Sequence, residues 1–401
     1  MFSFFFSIFT RYFLAFSGFL VFVITSLIYD AEGRGIIAIG ISFVTLIALL
    51  SSLNIGREFL FKTGQDKKNI KLYLIKYLKL QYILIIIGFI LFVLFSFSLN
   101  SRLHDFELTL IFAVGIPNYI WMINGSIFYA TCDMTFKQEI IINLTRLSLL
   151  FFLLTFFYIF PNLSLKIFIL FYLTILSIGS IFEIIYLKRQ FVISEVLPLT
   201  FSDIFNKRLW LSHVDYISFH YYPSLLIFIY SFVFTIEKIG VLNFAIQLVS
   251  FIYIISTVAS YRLQTYVSTM KVYVNSQKIL QILLFTATLS FIFFLLIFFS
   301  LRTDLFNKYF SSFNQVNNFF YIIALSIPGY LVYQVSYPLL IKKDLLKITS
   351  IINVFFSFSL ALFPIFFLEN LTYYNFAFIY SFFYIFLLIA LVIVNIKFKL
   401  F

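Results

Sequence analysis

The chain has 401 residues, 63% of them hydrophobic and 11% charged, with a mean hydropathy of +1.06. A soluble domain of this length cannot bury so much apolar surface in one core, so the surplus must face lipid and the chain must be a polytopic α-helical membrane protein. The single cysteine, Cys132, excludes a disulfide framework and a multi-thiolate metal site, and the net charge of +12 has to be read from where the charges lie.

The N-terminal stretch carries Arg11 inside an apolar run, with no small-x-small cleavage site after it, and is read as a retained first helix. Hydropathy predicts spans near residues 10–29, 36–60, 72–98, 108–131, 139–160 and 166–187, then a polar break at 188–208. Six more follow near 209–234, 239–260, 279–300, 315–341, 348–368 and 374–396. The expected organisation is therefore about twelve transmembrane helices. They form an N-terminal six-helix bundle (1–187), a cytoplasmic linker (188–208) and a C-terminal six-helix bundle (209–401).

With the N-terminus inside, 18 Lys and Arg fall on cytoplasmic segments and 6 on outside loops, Arg34 among the latter, while 4 lie within spans. The positive-inside rule places both termini in the cytoplasm. The basic charge is then topology plus contact with anionic lipid headgroups, and nucleic acid is not an expected partner.

The two halves share short motifs. Glu32-x-x-Gly35 with Arg57 matches Glu237-x-x-Gly240 with Arg262 at one offset, and Ile116-Pro117-x-Tyr119 with Asp133 matches Ile327-Pro328-x-Tyr330 with Asp344 at a similar one. Ile141-Ile142-Asn143 matches Ile351-Ile352-Asn353 in turn. An even number of spans per half makes this a parallel repeat about an axis along the membrane normal, with the substrate path expected at the seam.

An ionisable group inside a span costs about 3 kcal/mol on insertion scales, so one that remains usually has work to do. Arg57 and Arg262 occupy equivalent positions, and Arg11 is a third candidate. Their guanidiniums suit a diphosphate, or else they snorkel to the headgroups. Glu58 is the expected burial partner of Arg57, and Lys76, Lys79 and Arg146 complete the first half. The seventh span holds His213, Asp215 and His220. The two histidines share a helix face while Asp215 points about 160° from His213, so no local triad forms. These groups either bind sugar hydroxyls or titrate to couple transport, Asp215 and Glu58 being the ion-coupling candidates, or they only bond neighbouring helices.

Pro117, Pro223, Pro328 and Pro338 should bend or open their spans. No phosphate-cradling glycine loop, G-x-S-x-G or H-E-x-x-H occurs. A transporter without nucleotide site, metal or cofactor is therefore expected rather than an enzyme.

The stretch IYDAEGRGIIAIGISFVTLIALLSSLNIGREF resembles the first-loop signature of polysaccharide-biosynthesis flippases, with Asp30-Ala31 where that family has Gly-Pro. FTIEKIGVLNFAIQLVSF is similar to the family's seventh-to-eighth hairpin. The resemblance implies the O-antigen (Wzx-type) branch of the multidrug/oligosaccharidyl-lipid/polysaccharide exporter superfamily, a MATE-like fold of the bacterial inner membrane. Its implied substrate is undecaprenyl-diphosphate-linked oligosaccharide, moved from the cytoplasmic to the periplasmic leaflet. Central cationic residues, here Arg11, Arg57 and Arg262, would be in contact with it. A glycan polymerase and a chain-length regulator are the implied partners. Two other readings stay open: an O-antigen-type polymerase, whose usual large periplasmic loop is missing here, and a multidrug or small-molecule exporter.

Overall fold

The computed structural model describes residues 2–132, 134–159, 163–191, 198, 207–269, 276–342, 346–366 and 372–398. Among them the regular structure is helical: α1 Phe2–Ser51, α2 Ile55–Gln65, α3 Ile70–Leu103, α4 Phe106–Phe112, α5 Ile116–Thr131, α6 Thr135–Ile159, α7 Leu165–Arg189 and α8 Lys207–Ser231. Then come α9 Ile236–Thr269, α10 Ser276–Ser300, α11 Asp304–Tyr309, α12 Val316–Ala324, α13 Ile327–Lys342, α14 Leu346–Phe366 and α15 Tyr373–Phe398. Each of the twelve expected spans falls on one of these helices or on a broken pair. Most of the linker at 188–208, Asp133 and Asp344, and the side chains of Arg11 and Arg262 lie outside the described residues.

Eight helical segments of the described chain are long and apolar enough to cross a bilayer, or nine with the bent pair α12 and α13. The first of them, Phe16–Thr63, covers the expected 36–60 span and residues 16–29 of the one before it. They meet at Asp30, whose φ of 53° and ψ of −166° break α1 at the polar YDAEGRG stretch. The repeated Ile-Pro motif does the same job in both halves. Pro117 sits in the first turn of α5, after a 3-10 turn at Ala113–Gly115, and Ile327 restarts the helix as α13 at 40° to α12. Proline suits that position because the first helical N–H groups have no partner to lose. Pro223, in contrast, lies inside α8.

Contacts divide the chain into two compact units. The first comprises Met1–Val21 and Ile39–Phe228, the second Phe22–Ala38 and Ile229–Phe401. Sequence order groups the spans differently. The tip of the first hairpin belongs to the second unit, and α8, the expected seventh span, belongs to the first.

In the second unit that hairpin tip packs on the start of α9 through the repeat-related glycines. A methyl group on Gly35 would lie 2.7 Å from the Ile236 carbonyl carbon, and one on Gly240 would lie 2.8 Å from that of Ala31. Glycine thus lets two helix backbones touch, the usual device of close membrane-helix crossings. Ser312 donates to Asp30 at 3.3 Å, and Phe22 and Phe244 meet with centroids 4.8 Å apart. Arg34, expected in a loop, lies in helical residues of α1. It is buried in α1, over the Phe22 ring at 4.3 Å and donating to Thr25 Oγ1 at 3.0 Å, because an aromatic face and a hydroxyl compensate its desolvation. Around the bent pair the same unit carries buried tyrosines. Tyr253 stacks on Tyr330 at 3.8 Å and shares a hydrogen bond with Ser326, and Asn353 donates to Tyr333 at 3.2 Å.

The first unit holds a buried carboxylate network. Glu183 of α7 accepts from Trp121 Nε1 at 2.9 Å and Gln138 Nε2 at 3.1 Å, and the Tyr129 hydroxyl donates to its backbone carbonyl at 2.8 Å. One acidic side chain thereby ties α5, α6 and α7 together, as a buried polar group must be satisfied in lipid.

Candidate functional site

The site begins at a break in the expected second span. Ser51 and Ser52 donate their hydroxyls back to the carbonyls of Ile47 at 2.9 Å and Leu49 at 3.3 Å, a competition that weakens a helix end. Leu53 and Asn54 then adopt left-handed conformations, with φ of 50° and 47°. Asparagine tolerates this region, but leucine is strained there by about 1–2 kcal/mol. The chain re-enters a helix at Ile55, so residues 36–60, expected as one continuous span, form two helices.

Two other helices satisfy backbone groups freed by the break, and a third supports one of them. Buried Asn124 of α5 accepts from the Gly56 N–H at 3.0 Å and donates to the Ser52 carbonyl at 3.3 Å and to Gln81 Oε1 of α3 at 3.1 Å. His213 of α8 is buried and hydrogen-bonds the Leu50 backbone at the frayed end of α1. Without such partners, unpaired backbone at membrane depth would cost several kcal/mol per group.

Restarting the helix at Ile55 sets the direction of Arg57. Its guanidinium lies 3.8 Å from Asp215 and 5.6 Å from the centre of the Tyr216 ring. Asp215 is fully buried, whereas the Arg57 side chain is 21% exposed. His220, one turn beyond Tyr216, lies tilted against that ring with centroids 4.2 Å apart, is exposed, and lies within electrostatic reach of Arg57. The result is a part-exposed cation held by a buried carboxylate, with aromatic rings beside it. Such an arrangement can present forked donors to an anionic group next to flat aromatic faces.

The structure therefore brings together four of the expected residues, Arg57, Asp215, His213 and His220, in one unit. His213 and Asp215 do point apart, and each meets a different side of the break. Arg57 pairs with Asp215 of α8, a partner that sequence proximity did not suggest. Glu58 is itself buried. Among the described residues no group of three or more His, Cys, Asp or Glu side chains is placed to hold a metal ion.

Four buried polar residues that support the fold or the candidate site escaped the sequence reading. Glu183 and Glu139 both lie within expected spans and satisfied the cost criterion that selected the others. Glu139 is buried and accepts from Thr10 at 3.1 Å. Gln81 and Asn124 carry no charge and were passed over, although amides inside spans are the side chains best able to replace backbone partners.

No protein-family model and no curated protein matches the chain. Solved structures do. A multidrug-resistance MATE family transporter of the MOP superfamily, in an inward-facing conformation, aligns over 96% of this chain and 92% of its own, with a TM-score of 0.64 and 14% identity. The lipid II flippase MurJ, in an inward closed conformation, aligns over 99% of this chain and 88% of its own, with a TM-score of 0.65 and 14% identity. The chain is thus an all-α polytopic membrane protein, and its particular fold is the one those two proteins share.

Proposed function

We propose that the chain is a flippase that carries an undecaprenyl-diphosphate-linked oligosaccharide, an O-antigen or capsule repeat unit, from the cytoplasmic to the periplasmic leaflet by alternating access. The observation that carries this is the Arg57 site: a part-exposed guanidinium anchored on buried Asp215, with the Tyr216 and His220 rings beside it. The guanidinium would take the diphosphate and the rings a sugar face, while the prenyl tail stays in lipid. Arg11 and Arg262 are proposed as further contacts of the diphosphate, and Asp215 and Glu58 as the groups that couple ion movement to the cycle. The fold shared with a lipid II flippase supports the lipid-linked substrate, and that shared with a multidrug transporter supports transport without chemistry on the cargo.

The protein would work in the inner membrane with both termini in the cytoplasm, as the 18 to 6 distribution of basic residues supports. A glycan polymerase and a chain-length regulator would act on its product.

The test is deletion of the gene in a strain with no second flippase, followed by assay of surface glycan and lipid-linked intermediates. Loss of surface glycan with build-up of cytoplasm-facing lipid-linked oligosaccharide is expected. Normal glycan with no intermediate contradicts the proposal. A multidrug exporter is the second reading, favoured by the MATE likeness; raised drug sensitivity with normal glycan would select it.

A further inference from the structure

We infer that Asn124, backed by Gln81, is the positioning residue of the Arg57 site: it clamps both lips of the helix break and so fixes the direction in which α2 leaves it. The inference rests on the functional reading of Arg57 for its transport consequence, but not for its structural one.

The clamp follows from three bonds made by one side chain. Asn124 Oδ1 takes the Gly56 N–H, in the first turn of α2, while Nδ2 gives to the carbonyl of Ser52, just past the end of α1. The same Nδ2 gives to Gln81 Oε1, which orients the amide. Asn124, Gln81 and Ser52 are all buried, so no water competes for these groups. Gly56 is also a point of close approach between the two helices. A methyl group there would meet the Asn124 carbonyl oxygen at 3.0 Å and Ile127 Cβ at 3.1 Å, so α2 sits on α5 with no spacer at the residue before Arg57.

The left-handed Leu53 adds the second half of the case. Its strained conformation persists only where surroundings over-determine it, and such strain collects at sites that need a fixed geometry. Arg57 follows Gly56 directly, and its separation of 3.8 Å from Asp215 depends on the angle between α1 and α2. A lost clamp lets that angle vary, and the guanidinium with it.

The test uses the full chain with Cys132→Ser and spin labels on cysteines placed at Leu60 in α2 and Met122 in α5, both exposed. Native protein should give one narrow inter-label distance. Asn124→Ala should broaden it and lower transport of the lipid-linked sugar by roughly ten- to a hundredfold, the usual consequence of a small misplacement at a site. Asn124→Asp keeps the acceptor for Gly56 but cannot donate to the Ser52 carbonyl, so it holds only one lip of the break and should also broaden the distance and lower transport. In an Arg57→Ala background, Asn124→Ala should cause no further loss of transport, because the two residues act as one.

An unchanged distance in Asn124→Ala, or losses that multiply across the two backgrounds, would overturn the inference. Normal transport by Arg57→Ala together with a broadened distance in Asn124→Ala would overturn the functional reading of Arg57 and support the clamp.

Discussion

Removing either partner of the Arg57–Asp215 pair should have unequal consequences for stability. Two unit charges at 3.8 Å attract by about 4 kcal/mol at an effective dielectric of ~20, and much of this offsets the desolvation of the pair. Arg57→Ala leaves a fully buried carboxylate without its guanidinium. That costs about 3 kcal/mol, the low end for broken buried pairs because Arg57 is one-fifth exposed and the contact is not a short hydrogen bond. Asp215→Asn instead leaves a guanidinium that can reach solvent, at a cost of about 1 kcal/mol or less. The double variant Arg57→Ala/Asp215→Asn should recover most of the stability lost by Arg57→Ala alone. Transport should behave otherwise and fail in every variant that lacks Arg57. Thermal unfolding of the detergent-purified variants, alongside complementation of surface glycan, reads both quantities. The reasoning fails if Asp215→Asn destabilises as much as Arg57→Ala, or if the double variant is no more stable than Arg57→Ala.

Three further outcomes are expected. Glu183→Leu strands the Trp121 and Gln138 donors at about 1–3 kcal/mol each, whereas Glu183→Gln keeps an acceptor and should unfold closer to native; thermal unfolding in a Trp210→Phe background, where Trp121 alone fluoresces, compares them. Gly35→Ala and Gly240→Ala force a methyl group against a carbonyl carbon, and each should lower unfolding stability by about 1–3 kcal/mol or more, while Gly18→Ala, with open space around it, should not. Asp105 caps α4 by accepting from the Leu108 N–H at 3.0 Å and pairs with Lys166 at 2.8 Å, and the Leu108 bond, then Lys166, hold its carboxyl below the ordinary 3.8. A depressed acid contributes stability that is present above 3.8 and lost as pH falls below it. Hydrogen exchange at Leu108 should therefore be protected at neutral pH, lose protection at acid pH, and be unprotected throughout in Asp105→Ala.

The spans were legible because hydrocarbon thickness fixes helix length, and even the turn at Asp30 showed as a polar stretch between two apolar runs. The Glu-x-x-Gly repeat was legible as a repeat, but its meaning was not: that Gly35 and Gly240 bring α1 and α9 backbones together depends on a crossing no single sequence displays. The break at Ser52–Asn54 was hidden for a different reason. Hydropathy averaged over a turn or two runs straight through SSLNIG, and a left-handed leucine has no compositional signature. Arg57 and Asp215 were both singled out as ionisable groups, yet the partner expected for Arg57 was the adjacent Glu58, because proximity in sequence was the available guide. The actual pairing joins α2 to α8, and it explains why so polar a helix as α8 is tolerated: its His213 and Asp215 serve the two sides of the break.

The most direct measurement is flipping by the purified protein in proteoliposomes containing a fluorescent undecaprenyl-diphosphate-linked sugar, scored by the fraction made accessible to a membrane-impermeant quencher. Native protein should move the lipid, Arg57→Ala should not at equal reconstitution, and the same lipid bearing a neutral head in place of the diphosphate should stay unmoved. Equal rates with native protein, with Arg57→Ala and with protein-free liposomes would contradict the account.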